Sequence, residues 1–145
     1  MRNGFQKTQL PEEVLARDVV GLAMKVHRTL GFGFAETVYR NALAIELRKT
    51  DIPFEIHPAI SVIYDGMEVG AYQADLIINN RLIVELKAAS AITDEHCIQL
   101  VNYLSATRIE HGIVINFGAP SLQFRTKNRT YSSPNSPSDN LVNLE

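Results

Sequence analysis

Tryptophan is missing from this 145-residue chain, and cysteine occurs once, at Cys97, so no intramolecular disulfide can brace the fold. His96 beside it is a sequence neighbour, not a residue at metal-ligand spacing, and Cys97 reads as helix packing rather than as a catalytic thiol. Positive charge is not in excess: 14 Lys and Arg stand against 16 Asp and Glu, for a net charge of -2. A general positive field to hold polyanions is thereby excluded, and any phosphate binding must be local. No stretch approaches the ~18 apolar residues of a membrane span. Met1 to Leu10 carries Arg2 and Lys7 with no apolar segment behind them, so the expectation is a soluble, cytoplasmic chain without a membrane partner. A glycine-rich phosphate loop is also lacking, because Gly31-x-Gly33 follows a helical pattern, the wrong context for one.

What is present is enough apolar material, 46% of residues, to bury one core of ordinary size. The expectation is one domain over residues 1–129. Leu15, Val19, Leu22, Ala23, Val26 and Leu30 recur at helical spacing behind Pro11-Glu12-Glu13 and predict a helix from Glu12 to Leu30, stopped by Gly31. Val38, Tyr39, Ala42, Leu43 and Leu47 predict a second helix from Glu36 to Thr50. The period then drops to two, predicting an antiparallel meander of strands at 54–64, 68–78 and 82–88, with a turn at Asp65-Gly66. Thr93-Asp94-Glu95 is a helix start, and Cys97, Leu100, Val101 and Leu104 give a third helix from Asp94 to Thr107 one apolar stripe. Ile113 to Phe117 reads as a strand buried on both faces and parallel to a neighbour, and Leu122 to Thr126 as an edge strand. Residues 130–145, rich in Ser and Pro, read as a disordered tail. The order gives an α/β fold with a mixed central sheet flanked by helices.

One strand carries chemistry. Glu85 and Lys87 alternate with Val84 and Leu86, so both charged side chains leave the same face. Whether Asp75 shares that face depends on the loop between the strands, since a two-residue Asn79-Asn80 turn would put Asp75 opposite Val84, on the wrong side. A three-residue loop of Ile78, Asn79 and Asn80, with Asn80 left-handed, would set Asp75 opposite Ile83 and next to Glu85; that odd loop is the expectation. Two carboxylates so placed repel unless a cation sits with them, and Mg²⁺ suits a site of few protein oxygens. Lys87 is placed to orient a water and to stabilise charge on a phosphorane-like transition state. Gln99 and Tyr103, four apart on the third helix, share a face read as lying opposite the apolar stripe and available to steady Lys87 or a phosphate. Taken singly, each feature is more often a solvated edge or an ordinary surface pair.

Together, Ala74-Asp75, Glu85-Leu86-Lys87, the preceding helical Glu36 and the following Gln99-Leu100-Val101-Asn102-Tyr103 resemble the PD-(D/E)XK nuclease superfamily, and the QxxxY element resembles its exonuclease and recombination-nuclease branch. Gly33-Phe34-Ala35-Glu36-Thr37-Val38-Tyr39 is similar to the motif of the bacterial GxxExxY protein family, with the similarity running from about Val14 to Arg125. The resemblance implies an αβββαβ core preceded by an extra N-terminal helix. It implies metal ligation by Asp75, Glu85, the Leu86 carbonyl and Glu36, with Mg²⁺ as cofactor and Mn²⁺ as substitute, and Lys87 assisting the water. It implies hydrolysis of phosphodiester bonds in DNA, less so RNA. Ala74 stands where the superfamily's label has proline, a position that shapes backbone and contributes no side-chain chemistry.

Several residues are secondary candidates. Gln99, Tyr103 and Tyr39 are read as supporting or nucleic-acid-binding positions, and His96, one turn before Gln99, as a phosphate or water contact set against plain helix surface. His27 and His57 are read as structural or surface residues. Arg125, Lys127 and Arg129 alternate as a basic row that could follow a phosphate backbone, or equally blunt an edge strand. The competing function is a catalytically silent module of the same fold that binds nucleic acid or a protein, and a homodimer is a further expected partner state.

Overall fold

The computed structural model describes residues 12–129; Pro11 and the tail expected from residue 130 lie outside the described residues. The chain runs through α1 (Glu12–Leu30), α2 (Glu36–Arg48), β1 (Phe54–Ile56), β2 (Ala59–Tyr64), β3 (Met67–Gln73), β4 (Leu76–Ile78), β5 (Leu82–Lys87), α3 (Asp94–Thr107), β6 (His111–Asn116) and β7 (Gln123–Asn128). α1 and α3 have the predicted bounds. Gly31 ends α1 at φ +71°, its N–H donating to the His27 carbonyl at 2.8 Å, a left-handed stop that glycine adopts without strain. α2 stops two residues before Thr50, whose hydroxyl donates to the Leu47 carbonyl at 2.7 Å and so satisfies a helix end instead of extending it.

The predicted meander is corrected. Its first strand breaks at His57-Pro58, where His57 takes φ +56° and Pro58 has no N–H to give a ladder. Its second breaks at Ala74-Asp75, and the two breaks pair with each other: His57 N–H donates to the Asp75 carbonyl at 2.8 Å and Ala74 N–H to the Pro58 carbonyl at 3.2 Å. The result is a mixed sheet in the order β1-β4-β5-β6-β7 and a separate hairpin, β2-β3. The hairpin turns at Asp65-Gly66, with φ +54° and +76°, as the sequence predicts. In the main sheet β5 and β6 are parallel, joined through α3, and the other pairs are antiparallel.

The β4–β5 loop has three residues, as parity required, but they are Asn79, Asn80 and Arg81, one position later than predicted. Both asparagines are left-handed at φ +54°, and Arg81 N–H donates to the Ile78 carbonyl at 3.0 Å. Ile78 therefore opposes Leu82, Ile77 opposes Ile83 and Leu76 opposes Val84. Continuing that register carries Asp75 opposite Glu85 itself, not Ile83.

Alternation divides the sheet residues between two cores. Leu76, Ile78, Leu82, Val84, Leu86, Ile113 and Ile115 pack beneath α1 and α2. Ile77, Ile83 and Val114 pack on the other face with Cys97, Leu100 and Leu104 of α3 and with Ile60 of the hairpin. Each fully buried Leu or Ile contributes roughly 2 kcal/mol by leaving water, so these two layers hold the sheet rigid between them. Cys97 is wholly buried packing, as expected. Glu85 and Lys87 follow Ile83 on the α3 face, at the end of β5 where that face runs out of apolar residues.

Candidate active site

Asp75 and Glu85 are interlocked through backbone as well as side chain. Asp75 N–H donates to Glu85 Oε1 at 3.0 Å, and Leu86 N–H donates to Asp75 Oδ2 at 2.8 Å. These are bonds a continuous ladder would have given to the facing strand, and the break at Ala74-Asp75 frees the Asp75 N–H to hold a carboxylate instead. The pair is nearly dry, with Asp75 9% and Glu85 4% exposed. Burial, and next the charge of Asp75, push the Glu85 carboxyl up from 4.5 to about 8, against the pull of the Asp75 N–H and of Lys87.

Lys87 Nζ donates to Gln99 Oε1 at 3.1 Å, and Gln99 Nε2 donates to the Tyr103 hydroxyl at 3.1 Å. A chain of donors and acceptors thus runs from the end of β5 to α3, fixing the lysine beside the acids. The predicted i, i+4 pair does meet Lys87, but the face assigned to it is corrected. Tyr103 is buried in the same cluster as Leu100 and Leu104, because the β2-β3 hairpin covers α3 on a second side. Burial first, and then the charge of Glu85, raise the Tyr103 phenol above its ordinary range.

Glu36 is the first residue of α2 and is exposed. Its carboxyl is raised, chiefly by desolvation; Lys87 and Arg40 oppose the shift and Asp75 reinforces it, which places Glu36 in the same electrostatic field as the acid pair. Gly33, at φ +116°, shapes the loop that delivers it.

Tyr39 is turned into the core. It is 0% exposed, stacks on Phe117 at 4.6 Å between ring centroids, donates its hydroxyl hydrogen to the Gly31 carbonyl at 2.7 Å and accepts from Phe34 N–H at 3.2 Å. It ties the 31–34 loop to the core. His96 caps α3: its Nδ1 accepts from Thr93 N–H at 3.1 Å, while the Thr93 hydroxyl accepts from His96 N–H at 3.3 Å. Burial, then the charge of Lys87, hold its imidazole below the ordinary range, so the neutral ring that a cap acceptor needs is favoured. The basic row is engaged elsewhere as well: Arg125 lies 3.7 Å from Asp94, Arg129 2.9 Å from Glu110, and Lys127 is buried. His27 is structural, its Nε2 3.0 Å from the Ala119 carbonyl.

Two residues of the site were not anticipated. Arg40 sets a guanidinium nitrogen 3.5 Å from Asp75 Oδ1, and its buried Nε has no hydrogen-bond partner. Its spacing of four from Glu36 on one helix was the available signal. Asn116 opposes Lys87 across the β5–β6 ladder and clamps the departing chain. Its Nδ2 donates to the Ala89 carbonyl and its Oδ1 accepts from Ala89 N–H, each at 2.9 Å.

Among the described residues, no group of three or more His, Cys, Asp and Glu side chains is gathered to hold a metal ion. The donor set that is present, two buried and adjacent carboxyl groups, matches a hard cation that keeps most of its ligands as water or phosphate.

The family model of the PD-(D/E)XK nuclease superfamily matches residues 13–128. The chain belongs to that superfamily. The SSO0001 crystal structure superposes with a TM-score of 0.51 at 20% identity, over 67% of this chain and 52% of that one, a likeness of fold. The PD-(D/E)XK chain spans about half the length of that structure. No curated protein matches the sequence. No helix among the described residues is long and apolar enough to cross a membrane.

Proposed function

We propose that this PD-(D/E)XK protein is a divalent-metal-dependent nuclease that hydrolyses phosphodiester bonds in nucleic acid, DNA ahead of RNA, a reading in line with the resemblance of Gln99-to-Tyr103 to the QxxxY element of the exonuclease and recombination-nuclease branch. Residues 1–129 form its single domain in this reading, and the Gly33-to-Tyr39 motif supports a place among the GxxExxY proteins. The observation that carries the reading is the Asp75–Glu85 interlock with Lys87 held beside it by Gln99.

Asp75, Glu85 and the Leu86 carbonyl would hold the ion, Mg²⁺ or in its place Mn²⁺, with Glu36 steadying water at its edge. When bound, the ion supplies a polarised phosphoryl oxygen and a water of lowered pKa. The rest is done by the chain. Lys87, with one N–H fixed on Gln99, keeps two donors for the attacking water and for negative charge growing on phosphorus. Gln99, itself held by Tyr103, fixes the position of the lysine. Arg40, 3.5 Å from Asp75 Oδ1, offsets the charge of that carboxylate.

Purified protein with Mg²⁺ or Mn²⁺ is expected to cut single-stranded, duplex or branched DNA, and Glu85→Gln to lower the rate at least about 100-fold. A folded wild type that cuts none of these substrates with either ion, or a Glu85→Gln protein that cuts as fast, overturns the reading.

A further inference from the structure

Beyond the acids, the hairpin and α3 enclose a cleft of about 910 Å³ that the hydrolytic chemistry leaves unused. Its walls are Val62 and Tyr72 from the hairpin and Ile98, Gln99, Asn102 and Tyr103 from α3. Tyr72 is 51% exposed although its ring lies 5.9 Å from that of buried Tyr103, and Ile98 is 41% exposed beside them. Large apolar side chains left in water along a concave wall call for an apolar planar ligand.

We propose that this cleft binds the bases of a single-stranded nucleic acid segment, stacked on Tyr72, and so selects single strands, flaps or frayed ends for the neighbouring acids. This rests on the nuclease reading for what happens next to the cleft, but not for the binding itself. Continuity carries it: the Tyr103 that flanks Tyr72 in the cleft is the residue whose hydroxyl accepts from Gln99, which in turn holds Lys87. A strand lying along α3 therefore arrives at the lysine. From Gln99 to Ala106 the helix rises about 10 Å, the length of roughly three stacked bases. The charged residues lining the cleft, Glu95 and Arg108, are one of each sign, so phosphates find no attraction there and the uncharged base faces are what the walls suit. In a duplex those faces are covered by their neighbours, which is why the cleft discriminates.

The test is fluorescence anisotropy of the full chain with a labelled 20-nucleotide single-stranded DNA and its duplex, Ca²⁺ replacing Mg²⁺. Tyr72→Ala is expected to weaken single-strand binding about tenfold, the loss of one stacked base, and Tyr72→Phe to stay near wild type. Ile98→Glu, an exposed change on a helix, is expected to weaken it as well, which guards against a hairpin that fails to fold in Tyr72→Ala. Wild type that binds no single strand, or Tyr72→Ala and Ile98→Glu proteins that bind like wild type, would overturn the proposal. So would a Tyr72→Ala change that alters oligomeric state by light scattering and leaves DNA affinity alone, since the cleft would then seat a second copy. If wild type binds through Tyr72 but cuts nothing, the cleft stands and the nuclease reading falls; if it cuts while Tyr72→Ala binds normally, the reverse holds.

Discussion

Replacing Glu85 by glutamine should stabilise the protein, and the gain should depend on pH. The folded chain keeps a proton on Glu85 up to about pH 8, whereas the unfolded chain releases it near 4.5. Folding therefore binds a proton between those two values, and stability falls as pH rises through that window. Below about 4.5 both states are protonated, and acid and amide are nearly equivalent. At pH 7 ionisation favours the unfolded wild type by about 3 kcal/mol, which is a difference of roughly 10 °C in Tm for a chain of this size. Glutamine escapes that loss and retains an oxygen to accept from Asp75 N–H. Urea unfolding of both proteins in chelator, from acid to mildly alkaline pH, reads the gap directly. A gap that stays constant with pH, or a wild type that is the more stable of the two at pH 8, would show that the acids are not crowded together as described. The same curves test the metal. At an Mg²⁺ concentration about 100 times its Kd, wild type should gain about 2.7 kcal/mol near pH 8, and Glu85→Gln much less.

Other outcomes follow from single contacts. Lys87→Ala is expected to reduce cleavage by about 100- to 1,000-fold with the fold intact by circular dichroism, because the lost group stabilises only developing charge. Gly118→Ala should destabilise by about 1–3 kcal/mol in thermal unfolding, since a Cβ there would meet the Ala89 carbonyl oxygen at 2.3 Å, backbone that cannot step aside. Gly112→Ala, whose Cβ would meet the movable Cδ1 of Leu100 at 2.6 Å, should cost less in the same assay. Tyr39→Phe should lower stability by about 1–2 kcal/mol by leaving the Gly31 carbonyl and Phe34 N–H without the hydroxyl, and urea midpoints would report it.

The helices were legible because their signals are local. The periodicity of Leu15 through Leu30 and the Thr93 cap determine α1 and α3 without help from the rest of the chain. The buried parallel β6 was equally readable, as an unbroken apolar run entered from a helix. The meander's antiparallel pairing was legible, but its breaks were missed because alternation continues through His57-Pro58 and Ala74-Asp75 even though the backbone does not. A proline in a strand pattern was the warning, and its meaning depended on a partner break 17 residues away. The exposed face assigned to Tyr103 failed for a related reason, since nothing local announces that a hairpin will fold over α3. Arg40 and Asn116 are polar residues whose roles arise only when α2 and β6 are brought against the acids and the chain that follows them.

That break also explains why these particular residues meet. In an uninterrupted strand Asp75 would give its N–H to the neighbouring backbone, and Glu85 would project from the end of β5 with solvent free to reach it. Because the chain leaves the main sheet at His57-Pro58 to build the hairpin and rejoins it at Ala74-Asp75, the Asp75 N–H turns to Glu85 Oε1, and Asp75 Oδ2 accepts from Leu86 N–H. Two acids are then fixed by backbone donors at the place where the hairpin and α3 exclude water, and their mutual repulsion is retained by geometry rather than relieved by rotation away from each other. Lys87, held off by Gln99, offsets only part of it. A divalent cation bound there, as the proposed function requires, would relieve that repulsion. The interruption that splits two strands of the predicted meander is thus the feature that brings the two acids together.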